Sequence, residues 1–381
     1  MKFSKTIIYF FFSLFLLSSS FAQQRYTFTT DKELKATSIK NQGNTGTCWS
    51  FGICSMLESE MLRKGLEESD FSEMYVVRCA FVEKAKLYVR MHGKCNFGQG
   101  GEAHDVINLM KIYGMVPKSV YAGKKEAERS YDHTQIEIDL RSYLDTLIAK
   151  NPDKMPADWI KDYEKILDKK FGKVPESFKY EKKSYTPMTY MKDVIGVNPD
   201  DYIEFTSFTH HPFYTKFFLE IPDNWACNQY NNIPIGELVQ IIDSSIAKGY
   251  TVGWGGDESE KEFSAHSSLA IVPAKEWNHK SQAEKDSTLL VPEKEAKVSQ
   301  EMRQIAFDNY NTTDDHFMHI TGIAHDQNGN KYYITKNSWG IRGKKEGYVY
   351  LSEEYVRLKT ISIMVNKNVV PSKTLEACGL K

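Results

Sequence analysis

The chain segregates its two kinds of regular structure, and that segregation limits the fold more than any other feature. From His316 onward the sequence is β-rich. His316–Ile323, Lys331–Trp339, Tyr348–Leu351 and Thr360–Val365 read as strands, and Asp326-Gln327-Asn328-Gly329 suits a hairpin turn between the first two. The front is helical. Ile53, Met56, Leu57 and Met61 recur at helical spacing, Arg63 and Lys64 favour the negative end of that helix, and Gly65 stops it. A second helix is predicted from Glu102 to Tyr113, with Val106, Leu109, Met110 and Tyr113 on one face and Gly114 and Pro117 ending it. Residues 233–254 read as helix then strand, while the lysine- and glutamate-rich stretches 122–175 and 274–303 read as solvated helices and loops. There is no internal repeat. This order predicts an α+β protein of two lobes with a cleft between them.

A length of 381 residues with 41% hydrophobic content excludes a disordered or collagen-like chain. The balance of 49 basic against 50 acidic residues gives no footprint for nucleic acid. Residues 1–22 have the layout of a signal peptide: Lys2 and Lys5, an apolar run from Ile7 to Leu17 broken only by Ser13, and small residues before a cut after Ala22. Such a run spans about 17 Å as a helix, against about 30 Å of hydrocarbon, so it is too short for a membrane anchor. Cleavage would leave an exported, periplasmic or secreted chain of net charge −3, with no stable membrane association. Export permits disulfides. If Cys48 is a free nucleophile, the remaining Cys54, Cys79, Cys95, Cys227 and Cys378 cannot all pair; Cys79 with Cys95 is the first pair to test. No CxxC spacing supports a metal site.

Two segments carry chemistry. In Gln42-Gly43-Asn44-Thr45-Gly46-Thr47-Cys48-Trp49, a turn-rich loop delivers Cys48 to a helix N-terminus. Unpaired N–H groups and the helix dipole stabilise a thiolate there. Thr47 is a candidate cap, and Gln42 could bring its amide to the same point as an oxyanion donor. The second segment opens a strand with Asp315-His316 and returns through Lys336-Asn337-Ser338-Trp339-Gly340. Antiparallel strands can set His316 beside Asn337, which would orient it, under cover of Trp339. Strand alternation puts His319 on the opposite face from His316. His266 lacks a following Asn-Ser-Trp-Gly and reads as a loop histidine.

Gln-Gly-x-x-Gly-x-Cys-Trp-Ser-Phe, Asp-His with a glycine six residues after the histidine, and Asn-Ser-Trp-Gly followed by Glu-Gly-Tyr-Val-Tyr together resemble the papain-like cysteine peptidases. The resemblance implies a two-lobed fold, helical lobe plus β-barrel-like lobe, and a catalytic set of Cys48 as nucleophile, His316 as base, Asn337 as its orienting group and Gln42 as oxyanion donor. It assigns substrate binding to Gly100, to Gly101, whose backbone would pair with the substrate main chain, and to Trp339. Phe71-Ser72-Glu73 resembles a structural stretch of the family. No metal or organic cofactor is implied.

Three departures resemble one branch, the bleomycin hydrolases and aminopeptidases C. Thr45 replaces the cysteine found three residues before the nucleophile in the secreted papain type. Cys48 and His316 are 268 residues apart, against roughly 130–150 in the papain pattern. Only residues 23–41 precede Gln42, too few for an inhibitory propeptide. Tyr230-Asn231-Asn232-x-Pro234-Ile235 and Lys359–Pro371 also resemble that branch. The expected organisation is one peptidase domain over 23–381: a helical lobe mainly 42–120, an insertion of roughly 120–310, a β-rich lobe 311–371 and a short tail 372–381. The resemblance implies aminopeptidase action on peptides and a ring-like homo-hexamer. The tail is shorter than the branch's C-terminal arm, which leaves an open-cleft endopeptidase as an alternative. A non-catalytic binding protein on the same fold and a cysteine acyltransferase are further alternatives.

Overall fold

The computed structural model describes residues 25–151 and 153–381; the signal segment 1–22 lies outside them. The chain begins with β1 (Phe28–Glu33), then α1 (Cys48–Arg63), α2 (Glu73–Arg90), α3 (Ala103–Tyr113), α4 (Thr134–Lys150) and α5 (Trp159–Phe171). Next come β2 (Phe178–Tyr180), β3 (Lys183–Tyr185), α6 (Pro187–Tyr190), β4 (Tyr202–Thr206), β5 (Lys216–Phe218), β6 (Gln229–Asn232), α7 (Ile235–Ala247) and β7 (Val252–Gly256). The last part holds β8 (Phe263–Ser264), β9 (Leu269–Ala270), α8 (Gln282–Ser287), α9 (Gln300–Asp308), β10 (His316–Asp326), β11 (Lys331–Lys336), β12 (Tyr348–Ser352), α10 (Glu353–Lys359), β13 (Thr360–Asn366) and α11 (Ser372–Ala377).

The helices α1 to α5 share one core, with Trp49, Leu57, Phe81, Tyr88, Val106, Leu140 and Tyr163 fully buried or nearly so. α1 is buried from Cys48 to Met61, as expected of a helix enclosed on every side. α2 lies where no element is predicted above, although Met74, Val77, Phe81, Ala85 and Tyr88 recur at helical spacing. Its start is fixed by Ser72, whose Oγ accepts from the Tyr75 N–H at 3.0 Å and donates to the Tyr121 carbonyl at 2.6 Å. Replacing Ser72 by alanine leaves both buried backbone groups unpaired and is expected to cost about 1–2 kcal/mol, read as a lower urea midpoint at unchanged slope.

The sheet runs β5-β6-β4-β13-β7-β10-β11-β12-β9-β8, with β1 pairing β10 off that path. This order leaves β5 and β8 at its ends, so the expected barrel-like lobe is an open mixed sheet among the described residues. The segment between the catalytic candidates is no appendage: it supplies β4 to β9, and β7 lies between β13 and β10. α7 packs its Leu238, Ile241, Ile242 and Ile246 into the sheet's own core, against Trp254, Met318 and Ile363.

The lobes meet where α1 crosses β10. Gly52 makes the close approach possible: a Cβ there would stand 3.3 Å from the Phe317 carbonyl. The predicted strand ending at Trp339 stops at Lys336. The Asn337 side-chain oxygen takes the Ser338 N–H at 2.7 Å, and this local turn leads the chain out of the ladder. Segment 40–42 then pairs with 338–340, through Gly340 N–H to Lys40 O at 2.9 Å and Gln42 N–H to Ser338 O at 2.8 Å.

Candidate active site

Cys48 is the first residue of α1 and is 8% exposed. The expected Thr47 cap is absent. Its hydroxyl bonds Thr45 Oγ1 at 2.6 Å instead, and no acidic residue occupies the first turn. The helix therefore keeps its positive end open at the sulfur. Sγ lies 4.0 Å from the Asp315 carbonyl, at the head of β10. Burial pushes the thiol up to about 12; N–H groups of Phe317 and Trp49 work against that rise, while the Asp314 and Asp223 carboxylates add to it.

His316, the first residue of β10, is 3% exposed. Its Nε2 lies 2.9 Å from Asn337 Oδ1. The same Asn337 atom accepts the Ser338 N–H, so it is the amide oxygen and the Nε2 must carry the proton. That tautomer leaves Nδ1 unprotonated. The Trp339 ring lies 4.6 Å from the imidazole, tilted by 32°. Arg342 sits on Trp339, 4.9 Å from its ring centre. Burial brings the imidazole down to about 4; the Asn337 bond opposes this and the Arg342 charge adds to it.

No hydrogen bond joins Cys48 to His316 directly among the described residues; the sulfur meets the backbone on either side of the histidine. Each pKa shift is the cost of one lone charge in this pocket. A proton passed from sulfur to imidazole creates both charges together at short range, where they stabilise each other.

His319 is fully buried on the other face, its Nδ1 3.0 Å from Ser55 Oγ of α1. Lys336 Nζ bonds the same hydroxyl at 2.8 Å. His266 is an exposed loop residue. Gln42 is buried beside the site: its Oε1 accepts from Ser338 Oγ at 2.6 Å and its Nε2 donates to Thr45 O at 2.7 Å. One Nε2 proton remains for a further acceptor. Gly100 and Gly101 lie just before α3, and a Cβ on Gly101 would meet the Trp49 ring at 3.0 Å.

Around these glycines lies a set of charges that no motif announced. Glu102 caps α3 and accepts from Tyr230 Oη at 2.9 Å, which gives the Tyr230-Asn231-Asn232 run a structural task. Glu204 bonds His104 Nδ1 at 2.8 Å. Burial, then the repulsion of its neighbours, raises Glu102 well above the usual carboxylate range, and Asp314 rises with it. Lys84 Nζ donates to the Gly98 carbonyl at 2.8 Å and to the Gly100 carbonyl; burial lowers its pKa despite the carboxylates nearby. All six cysteines are free. Cys79 is buried in α2, and the thiol that bears on Cys95 is that of Cys227, so the Cys79–Cys95 pairing does not form.

Two clusters have the donor spacing of a metal site, His210–His211–Glu220 and Glu58–Asp70–Glu73. The second encloses the Lys40 ammonium. In the first, Gln304 Nε2 faces His210 Nδ1 at 3.1 Å, while Gln304 Oε1 takes the Thr209 N–H. The His210 proton then sits on Nε2 and points at Glu220, 3.2 Å away. The trio is satisfied as it stands.

A sulfur supplied by the helical lobe and an imidazole supplied by the sheet lobe is the division of labour of the papain-like cysteine peptidases. Residues 90–380 match the model of the Peptidase C1-like family, and the chain belongs to that family. Bleomycin hydrolase of Gallus gallus is 24% identical, over 88% of this chain and 82% of that protein. Aminopeptidase W of Lactobacillus delbrueckii subsp. lactis is 21% identical, over 93% and 86%. The crystal structure of PepW from Lactobacillus rhamnosis shares the fold, with a TM-score of 0.71 at 19% identity over 92% of this chain and 84% of that one.

Proposed function

We propose that the protein is an exported aminopeptidase that cleaves peptides through an acyl-enzyme on Cys48. The observation that carries this reading is the meeting of Cys48 Sγ with the head of β10, where His316 is held by Asn337 in the tautomer a base needs. In the proposed sequence, His316 Nδ1 takes the thiol proton as sulfur attacks the scissile carbonyl carbon. The Cys48 N–H and the spare Gln42 Nε2 proton receive the oxyanion. The imidazolium then protonates the leaving amine, and a water activated by His316 hydrolyses the thioester. Asn337 acts as a positioning residue, where serine hydrolases use a carboxylate. The names of the relatives support the amino-end restriction.

Export follows from the layout of residues 1–22. No helix among the described residues is long and apolar enough to cross a membrane. The functional test compares one peptide amide with a free and an acetylated N-terminus, with and without one equivalent of iodoacetamide. The expected result is rapid release from the free peptide only, lost in step with alkylation of Cys48. Equal rates on the two substrates would instead make the enzyme an endopeptidase. Activity that survives complete alkylation would remove Cys48 from the mechanism.

A further inference from the structure

The loop between β5 and β6 lies across the approach to Gly100 and Gly101. Asn224 makes it rigid: Nδ2 donates to the Leu219 and Asn228 carbonyls at 3.1 and 2.9 Å, and Oδ1 accepts the Asn228 N–H at 3.0 Å. Trp225 Nε1 fastens it to α3 through Asp105 Oδ2 at 2.7 Å. Asn96 Nδ2 holds its other side through the Pro222 carbonyl at 2.8 Å and Asp223 Oδ1 at 3.3 Å. These anchors deliver the Asp223 carboxylate onto Gly100, where a Cβ would collide with it. Among the described residues, Oδ2 receives no hydrogen bond and no cation pairs with Asp223 within 4.0 Å. From there the path to the nucleophile is short: Gly101 follows Gly100, the Trp49 ring packs on Gly101, and Cys48 precedes Trp49.

We infer that Asp223 closes the cleft beyond the first substrate residue and binds the α-ammonium of the peptide's amino terminus. This rests on the aminopeptidase reading above. A peptide whose main chain pairs with Gly101 advances about 3.3–3.6 Å per residue, so a second residue ahead of the scissile bond would run into Asp223. A free ammonium ends the chain at that point and presents hydrogen-bond donors to the carboxylate. The surroundings suit a cation. The Lys84 ammonium stands among the carboxyl groups of Asp105, Asp223 and Glu137, and burial raises Asp223 above its usual range, with Lys84 and Asn96 opposing. A half-buried carboxylate that gains an ammonium partner also recovers its lost solvation.

The test uses the full-length enzyme and three substrates: a free peptide amide, its N-acetylated form, and the same peptide extended by one residue and acetylated. For Asp223→Asn, which keeps shape and removes charge, KM for the free peptide should rise about ten- to a hundredfold, the worth of a lost charged hydrogen bond. kcat should change much less. Asp223→Ala should in addition gain cleavage of the extended acetylated peptide, which a merely structural role for Asp223 would not produce. A wild-type preference for the free peptide that survives intact in both variants would overturn the assignment of Asp223 alone. A wild-type enzyme without that preference would overturn the aminopeptidase reading, and this inference with it. Thermal melts of both variants separate lost binding from lost folding.

Discussion

Cys48→Ala is expected to lower peptide hydrolysis by at least about 10⁴-fold, the scale on which loss of a nucleophile acts in enzymes of this kind. The fold should survive. Alanine is the best helix former, and the sulfur's partners are backbone groups, the Asp315 carbonyl at 4.0 Å and the N–H groups of Phe317 and Trp49. The variant should melt within a few degrees of the parent while losing stoichiometric alkylation at that site. Cys48→Ser is the sharper control. A hydroxyl there has the same shape but a much higher pKa, so proton transfer to a buried imidazole brought down to about 4 becomes steeply uphill. Serine should therefore be nearly as inactive as alanine. Turnover of either variant at the parental rate would mean that another residue attacks the peptide.

Lys40→Met should be strongly destabilising. The Lys40 ammonium lies 2.6 Å from Glu58, 2.5 Å from Asp70 and 2.6 Å from Glu73. Burial opposes its charge, yet Glu73, Glu58 and Asp70 together hold its pKa well above the usual value. Glu58 also accepts from Thr37 Oγ1 at 2.5 Å and the Phe71 N–H at 2.8 Å. Removing the cation leaves Glu58 with neutral donors only and Glu73 with the more distant Lys118 ammonium at 3.5 Å, both carboxylates buried. Breaking such a pair typically costs 3–5 kcal/mol, so a loss of about that size is expected in urea unfolding at neutral pH. The deficit should shrink in acid. Burial already raises Glu58, with Lys40 opposing, and without Lys40 the folded carboxyl rises further above its unfolded value. The native state then binds more protons than the unfolded chain, and stability falls as pH rises. An equal deficit at pH 5 and pH 8 would contradict this account. Activity should suffer too, because Lys40 anchors the 40–42 segment that pairs with 338–340.

What could be read from the sequence was what local chemistry dictates. The apolar spacing after Cys48, the Gly114 stop and the Asp326–Gly329 turn each act within a few residues, and the corresponding elements stand almost where expected. His316 and Asn337 stood in motifs at the head of one strand and just past the end of its hairpin partner, and the folded chain sets them 2.9 Å apart. Residues that matter through distant contacts were not. Nothing around Asp223 says that its loop folds onto Gly100, and nothing around Lys40 says that three carboxylates will enclose it. Thr47 had the identity of a cap, but its hydroxyl found Thr45 first. The α2 helix carried its own signals, including a serine cap. The open edges of the sheet follow from how β4 to β6 attach beyond β13, which is a matter of tertiary pairing.

That arrangement also governs when the molecule becomes dangerous. β10 pairs on one edge with β1, as in Phe28 with Asp326, and with β7, as in His316 with Gly256. β7 in turn leans on β13. These partners are scattered over nearly the whole translated message, and pairings of such long range form slowly. With α1 alone in place, the Cys48 thiol has no imidazole to meet, because His316 opens β10. The thiol and the imidazole can therefore face each other only once these distant strands have paired.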